Sequence, residues 1–174
     1  MNQRKTIIWV AVFFTICLVI YAYLGGLKEV KLSVISEEVY HMVGKDFKGQ
    51  IESDTLKDLF MTAKKLIEDK EIEGTLAILY FKDAEHNKDS IECFTGILLN
   101  RKPDQVPPGM EYKAFNSNGA VKARFDGHRL VTPNPAEIKE KVDRFARQKD
   151  LRLQPVFVEK YFSDHAIEID YLLR

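Results

Sequence analysis

The sequence predicts an α+β fold: duplicated β-α-β-β halves forming an antiparallel sheet with two helices on one side, preceded by one transmembrane helix. Three observations predict it. An uncharged run, IIWVAVFFTICLVIYAYL, opens the chain after Arg4 and Lys5. Two amphipathic helical stretches then stand in corresponding places, each followed by two strand-like stretches. Finally, the stretches after each helix share wording: Tyr80-Phe81-Lys82-Asp83 with Ile91-Glu92, and Tyr161-Phe162-Ser163-Asp164 with Ile167-Glu168. A repeated unit that cannot bury its own apolar face packs against its copy.

The first element is a basic flank, residues 1–5, and the second the expected transmembrane helix, residues 6–24. From Ile7 to Leu24 the run spans about 27 Å as a helix, with Trp9, Tyr21 and Tyr23 toward its ends as interfacial aromatics. No small-residue cleavage site comes after it, so a retained single-pass signal-anchor is expected over a cleaved leader. Arg4 and Lys5 favour an N-terminus on the cytoplasmic side, though Lys28 and Lys31 thin that bias. Residues 25–35 read as a connector and residues 36–174 as one folded domain.

Within the domain, alternation over Glu38 to Gly49 separates Val39, His41 and Val43 from Tyr40, Met42 and Gly44. A helix capped by Ser53 or Asp54 carries Leu56, Leu59, Phe60, Ala63 and Ile67 at helical spacing. GTLAILYF and IECFTGILL are strands joined by the polar turn AEHNKDS. The Pro-rich NRKPDQVPPG starts the second half, where EYKAFNS and AVKARFDG are extended. Its helix has Asn134 as cap, Pro135 at the first position and Glu137 three residues on, with Ile138, Val142 and Phe145 inward. QPVFVEKYFSD and AIEIDYLL close the chain as strands.

Composition narrows function. Lys plus Arg number 26 and Asp plus Glu 26, so no basic surplus exists to neutralise phosphates, and no nucleic-acid partner is expected. The two cysteines, Cys17 and Cys93, cannot build a disulfide framework. His86, His128 and His165 sit in turn contexts, His41 in a strand, and none has metal-pair spacing; neither metal nor cofactor is expected. No phosphate loop or nucleophile elbow occurs.

The repeat singles out one residue. In PVFVEKYF, alternation puts Phe157, Glu159 and Tyr161 on one face and Val156, Val158, Lys160 and Phe162 on the other. Laying Tyr80 on Tyr161 sets Glu159 against Ile78: one half is apolar where the other is ionisable.

The ordered set GTLAILYFKD, IECFTGILL, VPPGMEYKAF, the second helix and PVFVEKYFSD resembles the GyrI-like effector-binding domains, related to the SOUL haem-binding fold, over about Ser36 to Arg174. From AYLGGLKEVKLSV onward, the membrane-anchored arrangement is similar to that of the testis-expressed protein 264 group. The resemblance implies small-molecule binding, with Glu159 as the pocket glutamate of the Glu-x-Tyr strand and Tyr161 beside it. Burial among aromatic rings disfavours a free carboxylate, and a delocalised organic cation offsets that by pairing and by stacking. A flat apolar ligand, cationic in the favoured case, is therefore expected against Glu159, with Tyr161, Phe157, Tyr80, Tyr40 and Tyr112 as walls. Two alternatives stay open: a hydrolase of electrophilic small molecules using the same glutamate as general base, and a protein-interaction module without a small ligand.

Overall fold

A computed structural model describes residues 3–81, 90–162 and 166–174. Its elements are α1 (Gln3–Tyr23), β1 (Lys31–Ile35), β2 (Glu38–Gly49), α2 (Asp54–Glu68), β3 (Thr75–Tyr80), β4 (Ile91–Leu99), β5 (Glu111–Ser117), β6 (Ala120–Phe125), a 3-10 turn (Arg129–Val131), α3 (Pro135–Gln148), β7 (Leu153–Tyr161) and β8 (Ile167–Leu173). One eight-stranded sheet runs β1-β6-β8-β7-β3-β4-β2-β5, every neighbouring pair antiparallel. Exchanging β1 with β5, β2 with β6, β3 with β7 and β4 with β8 reverses this order onto itself, so the halves are related by a pseudo-twofold axis through the β3·β7 pair.

This corrects the expected fold class in two respects. First, the repeated unit is β-β-α-β-β rather than β-α-β-β. The supposed connector contains β1, and each half lends its first strand to the other half's outer edge: β1 pairs β6 and β5 pairs β2. Both edge strands are short, partly exposed and carry a lysine, features that limit further pairing.

Second, among the described residues no helix is long and apolar enough to cross a membrane. The expectations of a transmembrane helix, a single-pass signal-anchor, a membrane partner and a membrane location with the N-terminus inside are overturned with it. The uncharged part of α1, Ile7 to Tyr23, reaches about 25 Å at 1.5 Å per residue, short of a hydrocarbon core of about 30 Å. Nor does the helix lead into a free linker. Its end turns at Gly25, whose φ of 88° favours glycine, and the Leu24 carbonyl accepts from His128 N at 2.8 Å. Lys31 and Arg124 both pair with Asp126 beside that contact, holding its carboxyl below the ordinary carboxylate range.

The sheet is strongly curled. Tyr40 Oη on β2 donates to Asp170 Oδ2 on β8 at 2.9 Å, although β4, β3 and β7 lie between those strands. In a flat sheet four spacings would separate them by about 19 Å. The face carrying Tyr40 is therefore the inside of the curl. Gly44 and Gly96, cross-strand partners on that face, permit the bend, since a Cβ on either would meet opposing backbone at 2.1 Å. The concave face is filled by Tyr40, Met42, Ala77, Leu79, Phe94 and Val158, each fully buried.

The helices cover the convex face. α2 sets Leu56 and Ala63 over β2, β3 and β4. α3 sets Ile138, Val142 and Ala146 over β6 and β8. Leu56, Ile138 and Val142 each contribute roughly 1.5–3 kcal/mol on burial, and the two alanines let the helices approach the sheet although their outer faces are polar. The caps differ. Asn134 Oδ1 accepts from Ala136 N at 3.0 Å as its sequence signal requires, whereas Ser53 caps α2 by position without a side-chain hydrogen bond.

Candidate functional site

The two helices leave one strand uncovered. Along β7 the inward residues Val158 and Lys160 are buried, while Phe157, Glu159 and Tyr161, which face the helices, are only half-buried. On the flanking strands the same face is shielded: Ile78 and Tyr80 are each 5% exposed, Ile169 6% and Tyr171 5%. Among the described residues an open strip thus runs between α2 and α3, floored by β7.

Register places Glu159 at the centre of this floor. Tyr80, Phe157 and Tyr171 form one cross-strand row; Ile78, Glu159 and Ile169 the next; Leu76, Tyr161 and Ile167 the third. Cross-strand partners share a face, so eight apolar or aromatic side chains surround one carboxylate. The first row is a stack: Tyr80 on Phe157 with centroids 4.6 Å apart and planes at 19°, then Phe157 on Tyr171 at 5.5 Å and 27°. From α2, Phe60 meets Tyr161 edge-on at 5.2 Å. The Tyr80 hydroxyl is hydrogen-bonded to Glu159. Burial, then the charge of Glu159, push that phenol well above its ordinary range, so it stays a proton donor to the carboxylate.

The pairing of Ile78 with Glu159 has a further property. Shifting β3 onto β7 so that Tyr80 meets Tyr161 also carries Ile78 onto Glu159, and these two are each other's partners in the β3·β7 ladder. This pair therefore sits on the pseudo-twofold axis.

Of the six residues expected to line the site, Glu159, Tyr161, Phe157 and Tyr80 are brought together. Tyr40 lies on the opposite, concave face. Tyr112 shares the convex face but belongs to β5, three strands from β3, where its hydroxyl meets His41 Nδ1 at 2.6 Å. Tyr171 and Phe60 were not anticipated. Tyr171 was reachable by extending the alternation of the last strand, but Phe60 depends on which helix face turns toward the strip. The expected polar turn with His86, and His165, lie outside the described residues. His128 is a turn residue whose Nδ1 accepts from Leu130 N.

Glu159 has a charged neighbour on the other side of the sheet. Lys160, 5% exposed, points into the curl. Its Nζ lies 2.5 Å from Asp170 Oδ2 and 3.1 Å from Glu168 Oε1. Lys122 and Arg124 also pair with Glu168, at 2.9 and 3.6 Å. Burial alone would lower the Lys160 ammonium, but Asp170 and Glu168 outweigh it and hold it above its ordinary range. Burial likewise opposes charge on Glu168, yet Lys122 and Lys160 bring it below the usual carboxylate range. Among the described residues, Asp170 Oδ1 is buried without a hydrogen-bond partner.

An antiparallel sheet of reversible strand order carrying a helix per half is consistent with a GyrI-like fold. Solved structures share it. The chain superimposes on a hydrolase from Listeria innocua with a TM-score of 0.53 and 13% identity, covering 84% of this chain and 92% of that one. It superimposes on EcmrR, in a DNA complex, with a TM-score of 0.55 and 13% identity, covering 99% and 70%. For the EcmrR C-terminal domain alone the values are 0.52 and 13%, covering 84% and 97%. At that identity the likeness shows the fold alone. No family model and no curated protein matches the chain.

Proposed function

We propose that the strip between α2 and α3 binds a flat, apolar organic cation, with Glu159 as counter-charge. One observation carries the reading: a single half-buried carboxylate stands at the centre of a nine-residue floor whose other members are apolar or aromatic. Such a carboxylate is poorly solvated, and a delocalised cation both pairs with it and contacts the rings around it. The open strip admits the ligand, and the stacked row of Tyr80, Phe157 and Tyr171 gives a rigid wall that needs little ordering on binding.

Titration of rhodamine 6G, a delocalised monocation, tests it by fluorescence anisotropy. Wild type is expected to bind, and more tightly as rising pH ionises Glu159. Glu159→Gln keeps the shape, removes the charge, and is expected to weaken binding at least tenfold and flatten the pH profile. Equal affinities and equal profiles in the two proteins would sink the proposal.

A hydrolytic reading has one observation in its favour: the Tyr80 phenol holds Glu159 as a partner holds a general base. Turnover of a strained electrophile by wild type, lost in Glu159→Gln, would support it over passive binding.

A further inference from the structure

The wall of the strip on the α3 side carries a cation of its own. Lys139 Nζ stands 5.9 Å from the centroid of Tyr171, the last ring of the stack that begins at Tyr80. An ammonium at that range is attracted to the ring face. Lys139 is held there: one helical turn on, Asp143 Oδ1 accepts from its Nζ at 2.6 Å, and the Lys139 side chain is 22% exposed. The opposite wall differs. There α2 offers the uncharged ring of Phe60 against Tyr161.

One side of the strip thus carries the Lys139–Asp143 ion pair, with the ammonium over the last ring of the floor, while Glu159 lies under the middle. Tyr171 is one strand over from Phe157, and Phe157 is two residues from Glu159, so the Lys139 ammonium stands roughly 10–13 Å from the carboxylate. That is close to the length of a small polycyclic molecule. Asp143 offsets part of the Lys139 charge at this range, and the remainder repels a bare cation seated on Glu159. A ligand that carries an anionic or strongly accepting group at its far end is attracted instead.

Resting on the reading of the strip as a cation site, we propose that Lys139 is its specificity-determining residue, and that the preferred ligands are aromatic zwitterions or cations bearing an acceptor: positive charge at Glu159, carboxylate or equivalent at Lys139. Phe60, on the other wall, offers nothing to an anion.

Rhodamine 6G and rhodamine B test this. Both are diaminoxanthene cations, the first an ethyl ester and the second a free carboxylate; because they also differ in amine alkylation and ring methylation, the readout is the change in the ratio of their constants between wild type and variant. Dissociation constants for both are measured by anisotropy at neutral pH with wild type, Lys139→Met and Lys139→Glu. Lys139→Met is expected to tighten rhodamine 6G about threefold, as Coulomb's law gives at this distance in a partly solvated site, and to weaken rhodamine B by a similar or larger factor. Lys139→Glu moves the ratio further in the same direction. Far-ultraviolet circular dichroism of each variant checks that α3 is intact. If wild type binds neither dye, the cation-site reading fails and this proposal with it. If rhodamine 6G binds in a Glu159-dependent way but the ratio of the two constants is unchanged in both Lys139 variants, this proposal alone is overturned.

Discussion

Lys160→Met probes the inside of the curl. The substitution keeps the length and apolar stem of a side chain that is 5% exposed and removes only its charge. Glu168 would keep Lys122 and Arg124, so it stays compensated. Asp170 would not. It is fully buried, its Oδ1 already lacks a partner among the described residues, and only the Tyr40 hydroxyl would remain on Oδ2. Removing one partner of a buried pair typically costs about 3–5 kcal/mol because the remaining charge is stranded. With one compensated carboxylate and one stranded, about 3 kcal/mol is expected. Urea unfolding followed by circular dichroism reads it as a midpoint lowered by roughly 1–2 M at ordinary slopes. The double variant Lys160→Met with Asp170→Leu removes the stranded charge and is expected to recover at least half of the loss. A loss below about 1 kcal/mol, or a double variant no more stable than Lys160→Met alone, would refute the claim that this pair is the buried, compensated charge of the sheet.

Two further outcomes concern Glu168 and Tyr80. Glu168 is held below its ordinary value of 4.5, so it contributes stability that is present above about pH 4.5 and lost as pH falls through its lower folded value; urea midpoints between pH 3 and 6 are expected to fall less steeply toward acid in Glu168→Gln than in wild type, and parallel slopes would contradict it. Tyr80→Phe keeps the ring stack but removes the hydrogen bond to Glu159; the ionised carboxylate loses a donor, so the rise of rhodamine 6G affinity is expected to move to higher pH, and an unshifted profile would show that this bond does not set the carboxylate's charge.

Much of the candidate site was legible before the fold was. Strict alternation in PVFVEKYF put Phe157, Glu159 and Tyr161 on one side, and internal wording set Glu159 against Ile78, which the ladder pairs directly. Alternation, however, says which residues of one strand share a side, not which side of the sheet that is. Tyr40 obeyed its own strand's alternation and still ended on the opposite face. Tyr112 had the right face but a distant strand, because strand order is a long-range property that no local pattern carries. Of the two charges in Val158-Glu159-Lys160-Tyr161, Glu159 drew attention, yet Lys160 is the more deeply buried. Its partners lie on β8, and Tyr40, which completes the group, is 130 positions from Asp170. Only the curl brings them together. The first helix shows the reverse failure: a local apolar run was legible as helix, but its length in the folded chain and its docking on the Asp126-Gly127-His128 turn were not.

Symmetry puts a limit on how this site can have arisen. A residue off the axis has a counterpart elsewhere, and each copy is free to change alone once the halves are joined. The position shared by Ile78 and Glu159 has no such elsewhere: its counterpart is its own neighbour. Were the halves separate and identical chains, a glutamate there would face a second glutamate directly across two strands, a like-charge contact that destabilises a sheet. An isoleucine there would leave no charge at all. One carboxylate rather than two or none at the centre requires two unequal halves, and a single polypeptide in which each half changes alone supplies them.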